Sequence, residues 1–288
     1  MSNPFVWNVD PVLVHLGSLT VRYYGICFGL ALVTGFAVWF KRVRRFGESA
    51  AFAEQFLYFG VPAVIIGGRL GYCFFYAPQI YVANPLRVLA VWQGGIASHG
   101  AAAGLVVALW AFSRRNHITW TRLSDYFAPA VALAVGWIRV GNFFNSEVLG
   151  SPASVPWAVV FARYDPVPRH PAQLYDLLIG LVTYLVLRAL ERRNIRPIGS
   201  GLIAGTFLTV YFGLRIFVEQ YKDFYVEQLR GMPPFRNIEQ WLGFPIHTGQ
   251  WLSVLPVLAG ILLIARAMRS GVRLSERTRT THQPMGAR

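Results

Sequence analysis

The stretch Tyr23-Tyr24-Gly25-Ile26-Cys27-Phe28-Gly29-Leu30-Ala31-Leu32-Val33-Thr34-Gly35-Phe36-Ala37-Val38-Trp39-Phe40 decides the fold. It lies between Arg22 and Lys41 and contains no Asp, Glu, Lys, Arg or His. About 20 apolar residues carry a helix across a bilayer core. The run is continuous rather than alternating, and a membrane sheet must close into a barrel of alternating strands, so the reading is helix. The residues before it, Met1–Thr20, include Asp10 and no Lys or Arg. They lack the positive leader of a cleaved signal peptide, so the stretch reads as a retained span.

Working outward, six more charge-poor runs follow. They are Phe52–Tyr76 with Arg69 inside, Val88–Ser113 with His99, Leu123–Phe144 with Arg139, Pro171–Leu190 with Asp176, Ile198–Glu219 with Arg215, and a last one within Gln240–Ala265 that starts near Gly249. Composition agrees. Of 288 residues 55% are hydrophobic and only 14% charged, against about 25% charged in soluble domains. Mean hydropathy is +0.42. A disordered chain, a coiled coil and a soluble enzyme are excluded. The expectation is an all-α, seven-helix polytopic protein, with residues 1–288 forming one membrane domain.

The net charge of +14 admits nucleic acid or a membrane surface as partner. Position decides. Lys41, Arg42, Arg44 and Arg45 fall on the same side as Arg114, Arg115, Arg122, Arg188, Arg192, Arg193, Arg196 and the arginines from Arg266 to Arg288, which together make 17 of the 27 basic residues. Basic loops stay in the cytoplasm. The N-terminus is therefore expected outside and the C-terminus in the cytoplasm, and the charge gives no support to nucleic-acid binding. Two outer connections, about 145–170 and 220–248, are long and proline-bearing and are expected to form an extracytoplasmic cap. Cys27 and Cys73 sit in apolar runs and make no disulfide or metal spacing. Nothing implies a metal or cofactor.

Ionisable residues inside hydrocarbon are costly and suggest function. Counted from the cytoplasmic anchor of each helix at 1.5 Å per residue, Arg139, Arg215, His99, Tyr24 and Tyr211 all stand about 22–28 Å up, in the outer third of the core. Each arginine alone reads equally as a snorkelling side chain, and Arg215 has Glu219 four residues on with which to pair. His99 reads as a proton acceptor or as a structural histidine. Gly94, Gly95 and Gly100 permit either ligand approach or close helix packing. Spacing of three places Arg139 near Asn142 and Asn142 near Asn145, with Glu147 just beyond. Three arginines, counting Arg69, and a histidine at similar depth suit a phosphate, which the planar fork of Arg recognises. A lipid or solute transporter, or a non-catalytic lipid-binding protein, uses the same groups. A transporter commonly has repeated halves with broken helices, and the sequence has neither.

With those residues in view, the chain resembles the bacterial prolipoprotein diacylglyceryl transferases. The most specific piece is Arg139-Val140-Gly141-Asn142-Phe143-Phe144-Asn145-Ser146-Glu147 with Gly150. Supporting pieces are Tyr24-Gly25, Gly67-Gly68-Arg69-Leu70-Gly71-Tyr72, His99-Gly100, Arg169-His170-Pro171, Tyr211 with Arg215 and Glu219, and Gly249-Gln250-Trp251-Leu252-Ser253. Ile138 and Ser146 stand where the family usually has glycine.

The resemblance implies an inner-membrane enzyme that moves the diacylglyceryl group of phosphatidylglycerol to the lipobox cysteine of a prolipoprotein signal peptide, with glycerol phosphate leaving and no cofactor. The accepting thiol belongs to the substrate. On that basis His99, Arg139 and Arg215 are the candidate catalytic residues. Tyr24, Arg69, Asn142, Asn145, Glu147, Gly150 and Tyr211 are the candidate substrate-binding residues.

Overall fold

A computed structural model describes residues 4–17, 19–75, 78–90, 95, 97–193, 198–223 and 248–269. Nine α-helices are described: α1 Tyr23–Arg45, α2 Ala50–Gln55, α3 Leu57–Phe75, α4 Pro78–Ala83, α5 Ser98–Arg115, α6 Trp120–Phe144, α7 Ala172–Arg192, α8 Leu202–Val218 and α9 Thr248–Arg269. Among the described residues, six helical stretches are long and apolar enough to cross a membrane: Tyr23–Arg45, Ala50–Phe75, Trp120–Phe144, Ala172–Arg192, Leu202–Tyr221 and Gly249–Arg269.

The third expected span differs from its sequence reading. A 3-10 helix covers Pro85–Leu89, and α5 begins only at Ser98. The reason is local. Gly95 adopts φ +76°, outside the helical region. Arg69 reaches from α3 to take the carbonyls of Arg87, Val88 and Gly95, at 2.6, 2.9 and 3.3 Å. In a continuous helix those carbonyls would bond along the helix itself.

Small residues set the helix pairs. A Cβ on Gly67 of α3 would lie 2.5 Å from the carbonyl oxygen of Gly100, and one on Gly71 would lie 2.7 Å from the Cα of Gly100. Gly100 therefore serves backbone-to-backbone packing of α3 on α5, the pattern of small residues at membrane helix contacts. On α7, a Cβ on Gly180 would meet Ala132 O of α6 at 2.7 Å. At one end of the bundle Trp39, Phe56, Phe112, Leu123 and Tyr126 form an aromatic-rich cluster joining α1, the α2–α3 junction, α5 and α6. The outward faces are apolar: Val33, Val107, Leu185 and Leu262 are exposed while Asp125, Gln173, Asp176 and Thr183 are buried. That inversion suits a lipid solvent.

Among the described residues there are also five short strands, which the helical reading did not foresee. β1 Phe5–Trp7 runs parallel to β4 Val159–Phe161, which pairs antiparallel with β5 Pro168–Arg169; β2 Val12–Leu16 and β3 Leu19–Arg22 form a hairpin. The 145–170 connection thus folds onto the N-terminal segment beside the ends of α6 and α7. Most of the second expected cap segment, 224–247, lies outside the described residues, as do Gly94, Arg196, His247 and the tail from Ser270.

Candidate active site

The last turn of α6 carries the centre of the site. Arg139 Nη1 donates to Asn142 Oδ1 at 3.3 Å, as spacing of three allows. Asn142 Nδ2 donates to Glu147 Oε2 at 3.2 Å and Asn145 Nδ2 to Glu147 Oε1 at 3.4 Å. Glu147 returns towards the helix because the chain turns sharply: Ser146 has φ +50° and Val148 φ +55°. Position 146 is where the resembling sequences usually carry glycine, and a left-handed φ is the physical reason for glycine there. Gln173 of α7 donates from Nε2 to the Glu147 carbonyl at 2.7 Å, fastening the turn.

α7 brings Asp176 beneath this turn. Its Oδ2 lies 3.1 Å from Arg139 Nε and 3.0 Å from Lys222 Nζ. Lys222 Nζ also meets Glu219 Oε2 at 2.9 Å, and Glu219 Oε2 lies 3.7 Å from Arg215 Nη2. Arg139 and Arg215 therefore belong to one chain of alternating charges, Arg139–Asp176–Lys222–Glu219–Arg215. Tyr211, buried on α8, is within hydrogen-bonding reach of Arg139. Tyr24 of α1 is an electrostatic neighbour of both Glu147 and Arg139. It reaches that place because Gly141 leaves room: a Cβ there would be 2.9 Å from the Tyr24 ring.

Gly150 acts through its backbone. Its N–H donates to the His170 carbonyl at 3.1 Å and its carbonyl accepts from Arg169 Nη1 at 3.1 Å. A side chain there would collide with the His170 backbone. Gly150 also bridges to Lys222, with Ser151 N–H on Tyr221 O at 2.9 Å and Asp223 N–H on Leu149 O at 3.0 Å. These bonds lay 221–223 beside 149–151 and deliver Lys222 to Asp176. Arg169 holds the corner, donating from Nε to Asp165 at 3.1 Å and pairing through Nη1 with Asp223. His170 Nδ1 sits 2.9 Å from the Tyr175 hydroxyl, and burial pushes its imidazole below the ordinary value.

The sequence residues divide accordingly. Arg139, Asn142, Asn145, Glu147, Tyr211, Tyr24 and Arg215 come together at the ends of α1, α6 and α8. Arg69 donates to the carbonyls of Arg87, Val88 and Gly95 and lies 5.1 Å from the Tyr81 ring centroid. His99 is the second residue of α5; its side chain lies outside what is described. Sequence reasoning missed Asp176, noting it only as a charge in a span, and Lys222, which falls outside the 17 basic residues of the cytoplasmic group. The signal was available. Asp176 is an acid in an apolar helix with no cation three or four residues away, so its partner had to come from another element.

Helices with apolar outer faces, enclosing a cluster of arginine, amide and carboxylate, define a multi-pass membrane protein. The chain belongs to the prolipoprotein diacylglyceryl transferase family, which it matches over residues 11–266. Similar proteins include the phosphatidylglycerol–prolipoprotein diacylglyceryl transferases of Nitrosospira multiformis, 35% identical over 94% of this chain and 90% of that one, and of Cupriavidus pinatubonensis, 36% identical over 93% and 94%. That of Tolumonas auensis is 35% identical over 93% of this chain and 99% of its own length.

Proposed function

We propose that this protein is a transferase that moves the diacylglyceryl group of phosphatidylglycerol to a prolipoprotein, forming a thioether on the lipobox cysteine that follows the signal peptide. Family membership supports the activity. The observation that carries the chemistry is the joining of Arg139 and Arg215 through Asp176, Lys222 and Glu219. The whole chain acts as one unit in the bacterial cytoplasmic membrane, with α5 as a seventh span, the 145–170 and 220–248 segments outside and the C-terminus inside.

The reaction has two difficulties. A free thiol has a pKa of about 8.5, so little is ionised at neutral pH. The phosphate must also leave with a bonding electron pair. Arg139 and Arg215 hold the phosphodiester and stabilise charge as it develops on the departing oxygen. Asn142, Asn145 and Glu147 fix the Arg139 end of the site. Tyr24 and Tyr211 give hydroxyls for the headgroup oxygens. Gly150 sets the backbone register of the wall, and Arg69 shapes the segment leading into His99. His99 accepts the thiol proton. Sulfur then attacks the glycerol carbon: the C–S bond forms, the C–O bond to phosphate breaks, and glycerol phosphate departs. No metal or cofactor enters the scheme.

The deciding assay combines purified protein, labelled phosphatidylglycerol and a lipobox peptide. A thioether adduct is expected. Lipid binding without any adduct would leave the non-catalytic reading in its place.

A further inference from the structure

We infer that Asp176 is a positioning residue of the site, whose single carboxylate holds Arg139 and Lys222 in place and keeps the phosphate pocket from gripping the released glycerol phosphate. The inference rests on the transferase reading and concerns the same site.

Three observations carry it. Asp176 lies on α7, Arg139 on α6 and Lys222 just past α8, so its oxygen Oδ2 is where three elements meet, at 3.1 and 3.0 Å. The side chain is 1% exposed, and its Oδ1 has no hydrogen-bond partner among the described residues. A carboxylate so buried persists through the cations it faces. Finally, Asp176 takes the Nε side of Arg139 while Asn142 takes Nη1, so the orientation of the guanidinium is fixed before any ligand arrives.

The charge count gives the second half. Arg139, Arg215 and Lys222 supply three positive charges, and Asp176, Glu219 and Glu147 three negative ones. The substrate phosphodiester carries one negative charge. The product phosphomonoester carries about 1.5 to 2 at neutral pH. A pocket with a large positive excess would bind the product more tightly than the substrate and turn over slowly. Asp176 is one of the three carboxylates that prevent such an excess, and neutralising it leaves the site one positive charge over, within ion-pair distance of two of the cations.

Asp176→Asn is the test, scored per folded enzyme in detergent. Expected are a fall in kcat of about tenfold or more, a KM for phosphatidylglycerol that is unchanged or lower, and glycerol phosphate inhibition several-fold tighter. Asp176→Glu restores part of kcat. Lys222→Gln shifts inhibition the opposite way, several-fold weaker, and decides the matter if Asp176→Asn does not fold. Unchanged kcat in Asp176→Asn, weaker product inhibition in that variant, or unchanged inhibition in Lys222→Gln would each overturn the inference. Wild-type protein that makes no thioether sinks the transferase reading instead, before any variant is compared.

Discussion

The Oδ1 of Asp125 on α6 accepts a hydrogen bond from the backbone N–H of Ala204 on α8 at 2.9 Å. Its Oδ2 accepts from Gly199 and Gly201 N–H at 2.8 and 2.9 Å. The N-terminus of α8 is thus capped from another helix, because its own cap residue, Gly201, has no side chain to do it. Arg42 of α1 completes the junction, donating to the Asp125 and Tyr126 carbonyls at 2.7 and 2.9 Å and pairing with Glu191 of α7. Asp125→Ala strips three N–H groups, two of them in buried bonds, of their acceptor, and should cost about 2 kcal/mol or more. A melting temperature equal to wild type in detergent would refute the cap as a stabilising element.

Arg139 makes contacts that lysine cannot copy, one through Nε and one through Nη1. Arg139→Lys should keep the charge, lose the fork and reduce transfer by about tenfold or more. Arg163→Ala is the control, since among the described residues Arg163 pairs with the exposed Asp10 alone, and it should stay near wild type. Near-normal transfer by well-folded Arg139→Ala removes Arg139 from the phosphate site.

His99→Gln should lose transfer at neutral pH and regain part of it above the thiol pKa of about 8.5, where the acceptor ionises unaided. The measurement is a pH profile of initial rates with lipid binding checked in parallel. A deficit of the same size at every pH assigns His99 to positioning rather than proton transfer.

Acid should loosen the 165–169 corner. Burial pushes the Asp165 carboxyl up, but its bonds from Arg169 and from the Val167 N–H outweigh that and hold it below the ordinary value. A carboxyl depressed on folding stabilises the folded state above the unfolded pKa of about 3.9, and that contribution disappears as pH falls through the lower folded value. Stability should therefore be level from neutral pH to about 5 and fall below about 4. Asp165→Asn should flatten part of that fall. Thermal melts of both proteins against pH decide, and parallel curves would count against the linkage.

A reporter active only in the cytoplasm, fused at Ser275, should give signal, and one placed within 145–170 should stay silent. The reverse pattern overturns the orientation drawn from the basic residues.

Much of this arrangement is legible in the sequence because it is local. Spacing of three brings Arg139 to Asn142, spacing of four brings Arg215 to Glu219, and apolar length locates α1, α6, α7 and α9. What was not legible depends on long-range pairing. Arg42 reads as one more cytoplasmic anchor, yet it is 3% exposed and serves the α6 backbone. Arg69 reads as a phosphate ligand by depth, and its bonds to the carbonyls of Arg87, Val88 and Gly95, 18 to 26 residues on, have no local signal. Phe5–Trp7 is too short to show alternation, and β4, its partner, lies about 150 residues on. Lys222 reaches Asp176 only because backbone bonds to 149–151 place it there, and no periodicity carries that information.

Cys27 and Cys73 are free and buried, 5% and 4% exposed. In the proposed reaction, whose nucleophile is the acceptor's sulfur, this leaves the enzyme nearly mute towards thiol reagents. A polar maleimide added to the mixture meets one accessible kind of thiol, that of the acceptor peptide. The rate at which it is consumed can then report how far the bound peptide's cysteine is withdrawn from water, with no engineered cysteine-free background.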